Sequence, residues 1–294
     1  VIYGAAGEDG KYRVHLYCVN PAANLQEYLS KGRSAVFFSA TLIPMQYYRS
    51  LLSTREDDYG IYVRSPFDQK NRRILICADV SSRYTRRGYG EYRKIAEYIA
   101  RMAWQKKGNY MVFFPSYRLM EDVFQVYEEE FSSDWVRCIC QTSSMNERER
   151  EEFLEEFKDQ KEETLLGFCI MGGIFSEGID LMGDRLIGAA IIGTGLPQVS
   201  LERELLKQYY DKRGECGFDH AYRYPGMNKV LQAAGRVIRT REDKGTILLM
   251  DERFLNTDYR MLFPAEWEDA AVCRLGNVEQ YLKQFWKGFP EEIS

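Results

Sequence analysis

LLGFCIMGGIFSEGIDL, residues 165–181, begins as an unbroken apolar run and passes directly into glycines, a serine and two acids. A short apolar run bounded by glycine is the pattern of a strand buried on both faces, and polar residues gathered behind it mark the carboxyl edge of a parallel sheet. The same pattern recurs along the chain. Apolar, β-branched or aromatic runs at 13–19, 34–40, 73–79, 110–115, 136–141, 165–172, 186–193 and 245–251 read as strands. Amphipathic segments at 24–32, 45–52, 91–108, 117–131, 146–157 and 199–213 read as the helices between them. Such alternation predicts an α/β fold, a doubly wound parallel sheet. Between residues 52 and 71 the pattern fades around Gly60 and Pro66, which predicts a linker, and the chain from Tyr259 onward reads as helices on the sheet's edge.

Composition narrows the class of protein. The 294 residues are 45% hydrophobic, enough for a large core, and no apolar run approaches the roughly 20 residues that span a bilayer. A net charge of −4 argues against binding nucleic acid by bulk positive charge, so local clusters matter. Residues 64–94 hold nine Lys or Arg against three acids, and residues 147–163 hold nine acids against four bases. The first cluster suits phosphates and the second a solvated helix face. The seven cysteines are scattered and form no CxxC pair, and His15 and His220 are the only histidines. That spacing fits no zinc site or iron–sulfur cluster, so no metal ligands are expected and the thiols read as core residues of a reducing cell interior. The chain opens on Val1, which suggests an excised piece of a longer protein.

In doubly wound sheets the working residues collect at the carboxyl ends of the strands. Four predicted ends carry hydroxyls, amides or acids: TLIP after residue 40, SYR after 115, TSS after 141 and GGIFSEGIDL after 171. In GGIFSEGID the glycines permit close approach to a phosphate, with Glu177 and Asp180 orienting arginines or a sugar hydroxyl; a glycine-rich turn with a capping acid explains it equally. It is no Walker A loop, since Ile179 follows Gly178 where lysine is required. ILLMDE, 247–252, imitates a magnesium-binding strand end, but an acid capping the next turn is the simpler account. SRYTRRGYGEYR, 82–93, suits either a nucleic acid, through phosphate pairing and base stacking, or a plain surface loop.

LQAAGRVIRT, 231–240, places Gln232, Arg236 and Arg239 at i, i+4 and i+7, which predicts one helical face bearing two cations while Leu231, Ala234, Val237 and Ile238 turn inward; by itself such a face is most simply a solvated basic surface.

Taken in this order, the pieces resemble the C-terminal half of superfamily 2 DNA helicases of the XPD/DinG type. SATL (39–42) is similar to motif III, FFPSY (113–117) to motif IV, QTS (141–143) to the element after it, GGIFSEGID (172–180) to motif V, and QAAGRVIR (232–239) to motif VI. The resemblance implies two RecA-like domains that clamp ATP and Mg2+ between them and move 5′ to 3′ along single-stranded DNA. Residues 1–52 would be the C-terminal remnant of the first domain, 53–71 a linker and 72–294 the complete second RecA-like domain. It further implies that Arg236 and Arg239 reach the nucleotide phosphates, with Gln232 orienting that site. Glu177, Gly178, Asp180 and Gly235 would belong to the nucleotide side, Ser116, Tyr117, Gln141, Thr142 and Ser176 to the DNA backbone, and Ser39 and Thr41 to the coupling between them. The chain departs from the family pattern in lacking a Walker A lysine, an acidic box and a four-cysteine cluster, so it should not hydrolyse ATP alone. Its partners would be single-stranded DNA and an N-terminal ATPase domain of the same polypeptide, with no membrane. The location implied is intracellular, in the nucleoid or the nucleus. A silent nucleic-acid-binding module, an RNA helicase and a helicase-nuclease fragment are the alternatives.

Overall fold

The computed structural model describes residues 1–6, 10–158, 163–173, 175 and 181–289. Two compact units emerge: Val1–Val63 with Pro197–Asn228, and Arg64–Leu196 with Lys229–Ser294. Residues 197–228, expected within one uninterrupted domain over 72–294, cluster with the first unit.

The first unit opens with an antiparallel hairpin of β1 (Ile2–Ala6) and β2 (Tyr12–Leu16), in which Tyr3 and His15 are cross-strand partners with stacked rings, 4.9 Å between centroids. Helices α1 (Ala22–Leu29) and α2 (Met45–Leu52) follow, tied where Ser53 Oγ donates to Gln26 Oε1 at 2.9 Å. The strand expected at 34–40 does not form. That segment is exposed throughout, with Val36 and Phe38 82% and 90% accessible. No strand among the described residues pairs with it, and an extended run without a partner gains neither ladder hydrogen bonds nor burial. What recruits 197–228 is aromatic packing. Tyr210 of α6 (Leu201–Asp211) stacks on His220 at 3.7 Å, and Tyr47 of α2 meets both His220 and Tyr224. His220 lies in a π-helical turn, Asp219–Arg223, and its burial holds its pKa below the usual imidazole range despite Glu215 at 3.1 Å.

The second unit carries the main sheet. Its strands are β3 (Arg72–Cys77), β4 (Asn109–Phe114), β5 (Val136–Cys140), β6 (Thr164–Ile170), β7 (Gly188–Ile192), β8 (Gly245–Met250) and β9 (Ala271–Cys273). They lie in the order β5-β6-β4-β7-β8-β3-β9, every pair parallel. Six of the seven fall on predicted runs. The edge strand β9 is too short to leave a periodic signal.

Crossover helices return the chain between parallel strands. On one face α3 (Tyr89–Ala103), α4 (Tyr117–Glu130) and α9 (Val278–Lys287) pack on Tyr110, Val112, Phe114, Leu166 and Phe168. The α4 stripe Leu119, Met120, Val123, Val126 and Tyr127 has the 3.6-residue period of a buried helix face, and burying each such side chain stabilises by about 1.5–3 kcal/mol. Helix α5 (Glu147–Glu155) starts with an Asn146/Glu149 capping box. Beyond its end, Phe157 fills the space over Gly167, where an added Cβ would sit 2.5 Å from the ring. Helix α7 (Tyr224–Ala234) leads into β8, and the boundary between the units falls within it. The short α8 (Thr257–Arg260) precedes β9.

Cys77, Cys169 and Cys273 are buried and Cys138 and Cys140 half-buried, as core thiols should be, but Cys18 and Cys216 are exposed. No described helix is long and apolar enough to cross a membrane.

Candidate functional site

Because the sheet is wholly parallel, the segments that follow its strands share one edge. Four of the expected residues lie there. Ser116 leaves β4 in extended conformation and caps α4, its Oγ accepting from Leu119 N at 3.4 Å. Gln141, at the end of β5, is buried. Its Oε1 accepts from Ile170 N at 2.8 Å and its Nε2 donates to Tyr117 Oη at 3.1 Å; that hydroxyl donates onward to Thr142 O at 3.4 Å. Burial raises the Tyr117 pKa, opposed by Arg150. Gln141 therefore ties the ends of β5 and β6 to the start of α4. Thr142, beside Ser144 at 3.5 Å between hydroxyls, carries the exposed oxygen of this group.

The glycine-rich segment behind β6 starts at the same edge. Gly172 has φ +74, and an added Cβ would lie 2.7 Å from the Lys229 stem, so both the conformation and the close approach call for glycine. Ser176, Glu177, Gly178 and Asp180 lie outside the described residues.

A second cluster at this edge was only half legible. Asp251, fully buried at the end of β8, accepts from Ser82 N at 2.9 Å, from Ser82 Oγ at 2.7 Å and from Arg253 Nε and Nη2, both at 2.8 Å. Its oxygen also caps the turn at Arg253 N, the capping role expected of the ILLMDE acid. Burial works against ionisation here, but the Arg253 pair and the Ser82 bonds outweigh it and hold the carboxyl below its usual range. Gly193, φ +81, turns so close to this group that a Cβ would meet Ser82 Oγ at 2.5 Å.

The arginines are elsewhere. Helix α7 stops at Ala234, so Gln232 alone of the three is helical, and the expectation of one helical face carrying Gln232, Arg236 and Arg239 is not met. Gly235 begins a turn, its N–H still bonded to Leu231 O at 2.9 Å. Val237 then buries its side chain, and an added Cβ at Gly245 would sit 2.2 Å from Val237 Cγ1, so the chain leaves the helix to enter β8. Arg236 and Arg239 ride on this turn, half-buried and exposed respectively.

Asp243, not among the expected site residues, fixes the turn. Its carboxylate accepts from Arg239 N at 2.6 Å, Thr240 N at 2.7 Å, Thr240 Oγ1 at 2.6 Å and Gly183 N at 3.1 Å. Its pKa is lowered although burial opposes this, because these hydrogen bonds favour the charged form. The local signal was Thr-x-x-Asp just ahead of an apolar run, a polar turn closing on itself before a strand.

Gly183 precedes β7 and the arginine turn precedes β8, so both lie at the amino edge of the sheet. Ser116, Tyr117, Gln141 and Thr142 occupy the carboxyl edge, one strand length away, about 17–20 Å. Ser39 and Thr41 belong to the first unit, where their hydroxyls lie 3.3 Å apart.

Residues 99–270 match the family described as Helicase C-terminal domain, well over half of the chain. The chain belongs to that family. Among relatives of this helicase C-terminal domain, a protein named regulator of telomere elongation helicase 1 homolog from Oryza sativa subsp. japonica is 27% identical over 92% of the chain. The homolog of the same name from Drosophila melanogaster is 28% identical over 93% of it. The chain spans only 30% of the length of either relative. A solved structure titled XPD helicase superposes with a TM-score of 0.65 at 20% identity, covering 85% of this chain and 44% of that one. The fold likeness agrees with the RecA-like sheet and with the XPD/DinG resemblance of the motifs.

Proposed function

We propose that this helicase C-terminal domain is the second motor portion of an ATP-dependent 5′–3′ DNA helicase. It supplies Arg236 and Arg239 to a nucleotide held by another RecA-like domain of the same polypeptide and grips single-stranded DNA at the opposite edge. The observation that supports this reading is the segregation of the two residue sets to opposite edges of one parallel sheet. A motor has to bind its track and its fuel at different places and connect them through something stiff, and a seven-stranded sheet is stiff.

Each set has chemistry suited to its task. Phosphoryl transfer spreads negative charge over equatorial oxygens, and guanidinium groups carried on a pinned turn stabilise that charge without reorganising. ATP and Mg2+, when bound, would supply the phosphoanhydride and a charge-neutralising cation, while Arg236, Arg239 and Gln232 of this chain orient the phosphate side. Glu177, Gly178, Asp180 and Gly235 line the same nucleotide side in this reading. At the carboxyl edge, Ser116, Tyr117 and Thr142 offer neutral donors that hold phosphates without reading sequence, with Gln141 fixing Tyr117 and Thr142 in place, and Ser176 is assigned to the same strand contact in this reading. Ser39 and Thr41 couple the two.

The test is the ATPase activity of a polypeptide that joins this chain to its ATP-binding domain. Arg236→Ala and Arg239→Ala should each lower kcat by about 10³-fold or more while single-strand affinity changes little. Thr142→Ala should weaken strand binding and spare the DNA-independent ATPase. Normal ATP turnover in both arginine variants would defeat the reading.

A further inference from the structure

The loop Arg83–Gly88 and its continuation Tyr89 are not used by any residue set described above. The loop leaves the carboxyl end of β3, so it stands at the edge that carries Ser116, Tyr117 and Thr142. It rises from a rigid base: Ser81 N donates to the buried Glu91 at 2.5 Å, and Ser82 is held by Asp251. Above that base the side chains stand out into solvent. Tyr84 is 76% exposed and Tyr89 61%. The Arg87 guanidinium covers one side of the Tyr84 ring at 5.4 Å, which leaves the other face of a highly exposed aromatic open. The Nε of Arg87 is shielded from solvent yet bonds nothing among the described residues.

The charges around the loop favour an anion. Arg83 faces Glu252 at 3.8 Å, a long, part-exposed pair that competes weakly with a phosphate, and Arg86, itself half-exposed, faces the buried Glu91 at 3.7 Å, longer than a hydrogen bond. Burial raises the pKa of Tyr92, and Arg87 of the loop and Arg118 of α4 both oppose this, so positive charge from the two elements falls on one hydroxyl. From β5 across β6, β4, β7 and β8 to β3 is five strand spacings, about 24 Å. That length accommodates about seven phosphates at duplex spacing and fewer in a stretched strand. An exposed ring sandwiched on one side by guanidinium is built to accept a base; an acidic peptide would use the arginines and leave Tyr84 idle.

We propose that Arg83, Tyr84, Arg86 and Arg87 form a second contact point for single-stranded nucleic acid, in which Tyr84 stacks a base and the arginines pair the flanking phosphates. This rests on the strand-binding edge proposed above. The test is fluorescence anisotropy of this chain with a labelled dT12 and with a 12-mer of the same length carrying abasic sites throughout. Tyr84→Ala should weaken dT12 binding about tenfold, change abasic binding less than twofold, and leave the melting temperature of this exposed position unchanged; Tyr84→Phe should bind as wild type. Replacing Arg83, Arg86 and Arg87 together by alanine should reduce the slope of log affinity against log salt by about 2, at roughly 0.7 per phosphate. Wild-type binding of dT12 with no change in the loop variants overturns the loop contact and leaves the edge reading intact. Failure of the wild type to bind dT12 at low salt overturns both. Equal losses on dT12 and abasic strands for Tyr84→Ala remove the stacking and with it the proposal, as does an acidic peptide that binds with dT12's affinity and the same dependence on Tyr84.

Discussion

Replacing Asp243 by alanine isolates the element that holds the arginine turn. Four donors converge on this carboxylate, which is 3% exposed. Without it, three backbone N–H groups and one hydroxyl lose their acceptor. An unsatisfied buried donor costs about 1–3 kcal/mol, but Arg239 is exposed and Thr240 half-buried, so water replaces part of what is lost. A net cost of about 3 kcal/mol follows for the unit, and for a unit of this size each kcal/mol lowers the melting temperature by about 2–4 °C, giving a fall of about 6–12 °C. Circular dichroism melts of the chain read this directly. Asp243→Asn should recover less than half, because its amide keeps one acceptor oxygen and sets an NH2 group against the remaining donors. The sign of the pH dependence also follows. The folded-state pKa of Asp243 is depressed, so its contribution is complete above the unfolded value near 4 and is lost as pH falls through the folded value. The gap in melting temperature between wild type and Asp243→Ala should thus be constant from pH 6 down to about pH 5 and narrow below about pH 4. A variant that melts within 1 °C of wild type at pH 7, on the scale of about 2–4 °C per kcal/mol, would refute the claim that this carboxylate organises the turn.

Three other outcomes are expected. Gly193→Ala combines a positive φ with a Cβ 2.5 Å from Ser82 Oγ, and urea denaturation should show a loss of about 2–3 kcal/mol; no loss would mean that Ser82 can move freely off Asp251. Asp251→Ala should leave the half-buried Arg253 without its counter-charge and Ser82 without its acceptor and cost about 3 kcal/mol, more than Glu252→Ala by a wide margin, measured by the same titration. Titration of the native chain with a thiol reagent should modify Cys18 and Cys216 rapidly, whereas Cys77, Cys169 and Cys273 should react only after denaturant is added.

The sequence by itself determined the α/β class, six of the seven strands of the sheet and most of the crossover helices, because a strand buried on both faces must be written as a continuous apolar run wherever it occurs. It also placed Ser116, Tyr117, Gln141 and Thr142 at strand ends, since a strand end is a local boundary between apolar and polar residues. What depends on partners distant in the chain was not written locally. Residues 34–40 have a strand's composition and, among the described residues, no strand beside them, and 197–228 join the first unit through Tyr47, Tyr210, His220 and Tyr224, contacts that only folding brings about. The arginines make the point most clearly. A 3.6-residue period put Arg236 and Arg239 on one helical face, but Gly235 ends the helix and Val237 draws the chain toward β8, so the turn's geometry is set instead by Asp243. Periodicity registers which side chains avoid water. Where a polar turn is held by a carboxylate that also reaches Gly183, sixty residues away in sequence, only the tertiary structure decides, because hydrogen bonds of that range leave no period behind.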